Sequence, residues 1–297
     1  MSFQIKQIQD SENNLKVVEI FNDRSFAKIV LNQGASLQEL TLNSVPLIQD
    51  LHPLEYQETY ASSILFPFVS RVKDGKYWFN GKEYHLETNN ASENSALHGF
   101  VYNKQFKIIA QKATSEKALV VLEYIETNLT KGFPYTYSIQ LTYTLTKASL
   151  DVQVEVMNTS NSVFPFTIGW HPYFFSDDLY SSILKFDSDK QVAFDDNLIT
   201  KEIVDFKNKG AIEIKEQQLD NCFLLNSNKV EFVTPNYTLR IRSSSNNDFL
   251  QVYTPPKKNT IAIEPVTGIS NSFNNKIGLR ELKPKDAYRI SWQLKVE

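Results

Sequence analysis

Alternation with a period of two runs through most of this chain, and it constrains the fold more than any other feature. In "YSIQLTYTLT" (137–146), Tyr137, Ile139, Leu141, Tyr143 and Leu145 alternate with Ser, Gln and Thr. After "KAS", Leu150, Val152, Val154 and Val156 alternate with Asp151, Gln153 and Glu155. Successive side chains of a strand point to opposite faces, so each arm carries one apolar face, and the pair predicts a β-hairpin. Asn80-Gly81 within "YWFNGKEYHL" (77–86) marks a second hairpin, because its tight turn needs two residues that tolerate positive φ. "LVVLEYIE", "YTLRIR", "DFLQVY" and "YRISWQLKV" predict further strands. No long window carries a helical apolar stripe.

Many short strands separated by turn residues predict an all-β sandwich or barrel. The Asn/Ser-rich stretches 89–95, 157–162, 243–247 and 270–275 read as loops, and none is long enough to act as a linker between domains. The expectation is a single domain over residues 1–297. With 41% hydrophobic residues the chain can bury a large core. A formal net charge of −3 without a basic stripe gives no reason to expect a nucleic-acid partner. Cys222 is the only cysteine, which excludes an internal disulfide and fits a reducing compartment. The opening "MSFQIKQIQD" lacks the basic and apolar regions of a signal peptide. The apolar run around 163–175 is broken by Thr167, Gly169 and His171 and is too short for a membrane span. These features read as a soluble, cytoplasmic protein, a monomer or homodimer without a membrane partner.

Polar residues in apolar settings single out candidates for a site. In "FTIGWHPYFF" (166–175), five aromatic rings surround His171. Pro172 holds His171 extended and predicts that the strand ends there. In "TIAIEPVTG" (260–268), Glu264 follows an apolar strand and directly precedes Pro265. An imidazole and a carboxylate thus sit at predicted strand ends, where scaffolds often carry binding groups. The bland alternatives are a hydrogen-bonded core histidine and a surface ion pair. His98 in "ALHGF" has the same core default, with Gly99 permitting an unusual φ. Arg71 closes "ILFPFVSR" and is either a solvated strand end or a fork of donors aimed into a cleft. Asp220 in "LDNCFLL" reads as a turn residue or an acceptor for sugar hydroxyls. Cys222, two positions on, reads as a small buried hydrophobe. His52 reads as a loop residue, and alternation turns His85 to solvent. No phosphate-binding glycine loop, G-x-S-x-G elbow or tight metal-ligand spacing is present.

Taken in order, "SRVKDGKYWFNGKEYHLETNN", "LHGF", "GWHPYFF", "LDNCF", "AIEPVTGISNSFN" and "GLRELKPKDAYRISWQLKV" resemble the aldose 1-epimerases, or galactose mutarotases. The resemblance runs from about residue 20 to the C-terminus. It implies a large antiparallel β-sandwich of the galactose mutarotase-like kind, a small-molecule sugar in an open cleft, and anomer interconversion without a cofactor. It places the general base on Glu264, the general acid on His171 and a second catalytic histidine on His98. Arg71 and Asp220 fall on sugar-binding positions. Trp170, beside the acid, is a candidate to pack on the apolar face of a pyranose, with plain core packing as the alternative. Trp170 where many members carry asparagine, Phe100 after "HG", and Asn271 in "ISNSFN" mark a divergent branch. Two other functions stay open: a hexose-6-phosphate mutarotase, which needs a cationic pocket that only six arginines must supply, and a non-catalytic sugar-binding or regulatory module.

Overall fold

The computed structural model describes residues 2–207, 210–246 and 248–297. Asn247, in one of the stretches read as a loop, lies outside the described residues, as does Met1 of the opening segment. Among the described residues nearly every element is a strand; the helices are the single turns Tyr56–Thr59 and Ser272–Asn275. The second turn falls in 270–275, read from sequence as plain loop. It is too short to show an apolar period. No helix among the described residues is long and apolar enough to cross a membrane.

Three antiparallel sheets carry the architecture. A nine-stranded sheet runs in the order Lys107–Ala113, Lys117–Glu126, Tyr137–Thr146, Ser149–Asn158, Ala287–Val296, Thr238–Ser243, Lys229–Val233, Ile183–Phe186 and Ala211–Glu213. The predicted hairpin forms its centre, with Leu145 opposite Leu150 and Tyr137 opposite Asn158. Tyr137, Ile139, Leu141, Tyr143 and Leu145 are fully buried, as the alternation demands. Burying each such side chain contributes roughly 1.5–3 kcal/mol. The Asn80-Gly81 hairpin also forms, joining Lys76–Phe79 to Lys82–His85 with φ of 48° and 74° at the turn.

The second large sheet orders Thr200–Asp205, Lys190–Phe194, Asp220–Leu224, Phe249–Tyr253, Thr260–Val266, Gly169–Trp170 and Ile64–Leu65, with Tyr173–Phe175 also paired on Thr260–Val266. Its inner face packs on the nine-stranded sheet: Trp170 stacks on Trp292 with ring centroids 6.0 Å apart. A five-stranded meander, Gln4–Asp10 to Val45–Ile48, contributes to the same core, and the Tyr143 hydroxyl ties to it by donating to Ala35 O at 2.8 Å. The fold is the all-β antiparallel sandwich that the family resemblance implied, one of the two forms the strand pattern left open.

Candidate active site

Register builds the site. Thr260–Val266 is buried along its whole length. Its neighbour Phe249–Tyr253 sets Gln251 opposite Glu264, and Asp220–Leu224 sets Cys222 opposite Gln251. On the other side Gly169 pairs with Val266 and Tyr173 with Ala262, a register that brings His171 opposite Glu264. One row across the sheet therefore reads Cys222, Gln251, Glu264, His171. The next reads Asp220, Tyr253, Ala262, Tyr173. All point to the face away from the sandwich core, since strand side chains two apart share a face.

Pro172 interrupts its strand as expected: Gly169–Trp170 stops just before His171, and pairing on Thr260–Val266 resumes at Tyr173 in the same register. Pro265 does not end its strand; Glu264 and Pro265 lie inside Thr260–Val266. Ile263 N–H donates to Pro172 O at 3.2 Å. By the alternation of an antiparallel ladder, Pro265 N faces the same seam without a proton to give. His171 is instead held from its other side: its N–H donates to Ser63 O at 3.1 Å and its carbonyl accepts from Ser62 N–H at 2.8 Å. The cost of two prolines in a central sheet is thus confined to one seam, beside the imidazole.

His171 Nε2 stands 3.4 Å from Glu264 Oε1, and both side chains are almost wholly buried. His171 stacks on Tyr173 at 5.0 Å and meets His98 edge-on at 5.1 Å. Tyr173 is anchored by its hydroxyl, which donates to Thr59 O at 3.1 Å. His98 has φ 59°, and Gly99 after it has φ 73° with no room for a Cβ, which would lie 2.1 Å from Phe66 O. That kink turns the His98 ring toward His171. Both histidines were expected to be satisfied core residues by default, yet neither Nδ1 has a hydrogen-bond partner.

Arg71 pairs with Glu93 in a two-pronged contact, Nε with Oε2 and Nη2 with Oε1 at 3.0 Å. Gln251 Nε2 donates to Asp220 Oδ1 at 2.7 Å. Arg71, His98, His171, Asp220 and Glu264 all line one cavity of about 320 Å³, at the small end of the range for ligand pockets. Glu93 and Gln251 also line it and were not singled out from sequence. Glu93 sits in a stretch that reads as loop, with no local sign of a partner. Gln251 had a signal: alternation puts it on one face between Phe249 and Tyr253. Cys222 is buried as expected and forms part of the wall; burial and the carboxyls of Glu264 and Asp220 push its thiol far up. His52 and His85 are exposed, and His85 pairs with Glu83.

Trp170 is a correction. It does not line the cavity; its indole lies in the core, donating from Nε1 to Ser62 O at 3.1 Å. The reason is the period of two: a neighbour of His171 on an extended strand must face the other way.

Burial governs the charges. It pushes the Glu264 carboxyl well above its usual range, Asp220 adds to this, and Arg71 opposes it. Burial pushes His171 down to about 4, against a smaller opposing backbone hydrogen bond. His98 is likewise lowered well below its usual range, by burial first and then by His171 and Arg71. Asp220 is raised by burial, with Arg71 opposing. Burial thus favours the arrangement in which the pair's proton sits on Glu264 and His171 is neutral. Among the described residues no three His, Cys, Asp or Glu side chains gather as metal ligands.

This all-β antiparallel sandwich is the fold of galactose mutarotase-like proteins. The structure resembles a galactose mutarotase-like protein from Clostridium acetobutylicum, with a TM-score of 0.86 at 21% identity over 100% of this chain and 99% of that one. It also resembles galactose 1-epimerase from Lactobacillus acidophilus, with a TM-score of 0.82 at 17% identity over 99% and 98% of the two chains. In sequence, the chain is 25% identical to the uncharacterized protein YihR of Escherichia coli over 89% of its own length and 88% of that protein. The aldose 1-epimerase family model matches residues 16–295; this chain belongs to that family.

Proposed function

We propose that this protein is an aldose 1-epimerase that interconverts the α and β anomers of a free aldose by acid–base ring opening and closure. The observation that carries the reading is the buried His171–Glu264 pair, 3.4 Å apart, on the wall of a cavity sized for one small polar ligand. A pure binding module has no need of an opposed acid and base.

In the proposed reaction Glu264 takes the proton of the C1 hydroxyl. Its electron pair forms the C1 carbonyl, the C1–O5 bond breaks, and His171 gives its proton to O5. The aldehyde rotates about C1–C2. Closure on the other face returns one proton to His171 and the other to the new C1 hydroxyl. The pair carries one proton throughout. The ring-opened complex leaves Glu264 protonated and His171 neutral, the state that burial favours. Sugar hydroxyls donated to Glu264 on binding favour the opposite arrangement, so binding prepares the base. Each placed proton transfer typically supplies about 10²–10⁴-fold. His98 and Arg71 are assigned to the sugar oxygens, and Asp220 to its hydroxyls.

The test is polarimetry on freshly dissolved single anomers across a panel of free aldoses and aldose 6-phosphates. Faster equilibration of a free aldose supports the reading. Binding without acceleration overturns it in favour of a sugar-binding module, and acceleration of the phosphates alone overturns the choice of free sugar.

A further inference from the structure

The cavity wall is unevenly charged. Among its described residues Arg71 is the one basic side chain apart from two histidines, against Glu58, Glu93, Asp220 and Glu264. Arg71 is not free: Glu93 takes one whole bidentate edge, Nε and Nη2. That planar edge is the part of a guanidinium that best matches a carboxylate or phosphate.

The contact is built into the local fold. Arg71 opens the strand Arg71–Lys73, and Leu97 of Ser95–Leu97 pairs directly with it. Glu93 sits in the turn that leads into that second strand, closed by mutual hydrogen bonds between the Asn90 and Ser95 backbones, both 3.2 Å. Asn90 Nδ2 donates to Glu93 Oε2 at 2.8 Å, and Ser92 Oγ holds Asn90 Oδ1 at 2.8 Å. On the other side Asn271 N–H donates to Arg71 O at 2.7 Å. Both ends of the ion pair are thus fixed before any ligand arrives. An anionic sugar would have to displace Glu93 or lie beside it, and like charges at that range in a partly buried site repel strongly.

We propose that Glu93 sets the charge selectivity of the site: it occupies the bidentate edge of Arg71, leaving the guanidinium to orient sugar hydroxyls and turning away aldoses that carry a carboxylate or phosphate. This rests on the aldose-binding reading above, though not on turnover. Glu93 is a specificity residue acting through Arg71.

The test is equilibrium binding, by titration calorimetry, of D-glucose, D-galactose, D-glucuronate, D-galacturonate and D-glucose 6-phosphate. In the wild type the better neutral hexose binds at least about tenfold tighter than its uronate. In Glu93→Gln this ratio falls by about tenfold, because the freed edge gains a charge-assisted contact, and adding Arg71→Ala abolishes the gain. Asn90→Ala, which loosens the same carboxylate, shifts the ratio in the same direction by less; it serves as the second variant if Glu93→Gln loses its strand signal by circular dichroism. A wild type that prefers the uronate overturns the proposal. So does a ratio unchanged in both variants, or a gain that survives without Arg71. If the wild type shows the binding ratio but no mutarotation by polarimetry, the epimerase reading fails and this inference stands. Binding of none of the sugars sinks both.

Discussion

Gln251 and Asp220 meet through a hydrogen bond of 2.7 Å from Nε2 to Oδ1, and the same Gln251 stands opposite Glu264 on the neighbouring strand. One amide therefore steadies the carboxylate assigned to the sugar hydroxyls from a position beside the proposed base. Replacing Gln251 by Leu leaves a partly buried acceptor without its donor. KM should rise about tenfold with a smaller change in kcat, measured by initial rates of mutarotation over a range of sugar concentrations. Equal losses in both would assign Gln251 to the chemical step instead.

Glu264→Gln and His171→Asn should each lower kcat by about two orders of magnitude or more. Because both act on one proton inventory, the double variant should lose little beyond the worse single one. Additive losses would mean that the two groups act independently.

The pH profile follows from the directions of the shifts. With ordinary values, 4.5 for glutamate and 6.5 for histidine, a carboxylate base and an imidazolium acid would be active only between those limits. Burial lowers His171 and raises Glu264, so His171 sets the acid limit and Glu264 the alkaline one. Below about 4 the His171–Glu264 pair takes a second proton and has no base. Above the raised Glu264 range it holds none and has no acid. Such limits belong to the pair as a unit. The expected kcat/KM profile has its acid limb near pH 4, set by His171, and an alkaline limb set by Glu264; an acid limb centred on the ordinary histidine value would contradict it.

Glu264 should also weaken the fold as pH rises. Its folded carboxyl keeps a proton that the unfolded chain has lost, so stability is full below 4.5 and declines as pH climbs toward the raised folded value. Gln at this position does not titrate. Glu264→Gln should unfold at a higher temperature than wild type, by a margin that grows from acid to mildly alkaline pH in scanning calorimetry. A margin independent of pH would locate the effect in packing.

Trp170→Phe separates core from site. It removes the donor to Ser62 O and some of the stacking on Trp292, at a cost of about 1–3 kcal/mol. The melting temperature should fall while KM for the sugar stays the same. A raised KM with unchanged stability would return Trp170 to the sugar site.

Much of this protein was legible before folding was considered. The alternation in 137–146 and 149–156 predicted the central hairpin of the nine-stranded sheet, because the period of a strand is a local property of the backbone. Asn80-Gly81 announced its turn for the same reason. Arg71, His98, His171, Asp220 and Glu264 stood out by residue type and by the family resemblance, and the fold brings all of them to one cavity. Trp170 was misplaced although alternation with His171 already decided its face.

What the chain alone settled is therefore local: where strands run, which side chains share a face, and where a turn reverses the path. Tertiary structure decided which strands became neighbours. Glu93 joins Arg71 through a paired strand, Gln251 joins Asp220 across a register, and His171 meets Glu264 over a seam that two prolines interrupt. Those partners lie far apart along the polymer, and pairing between distant strands depends on how the whole core packs. The depth of burial that sets the charges of His171 and Glu264 likewise exists only once both sheets have closed.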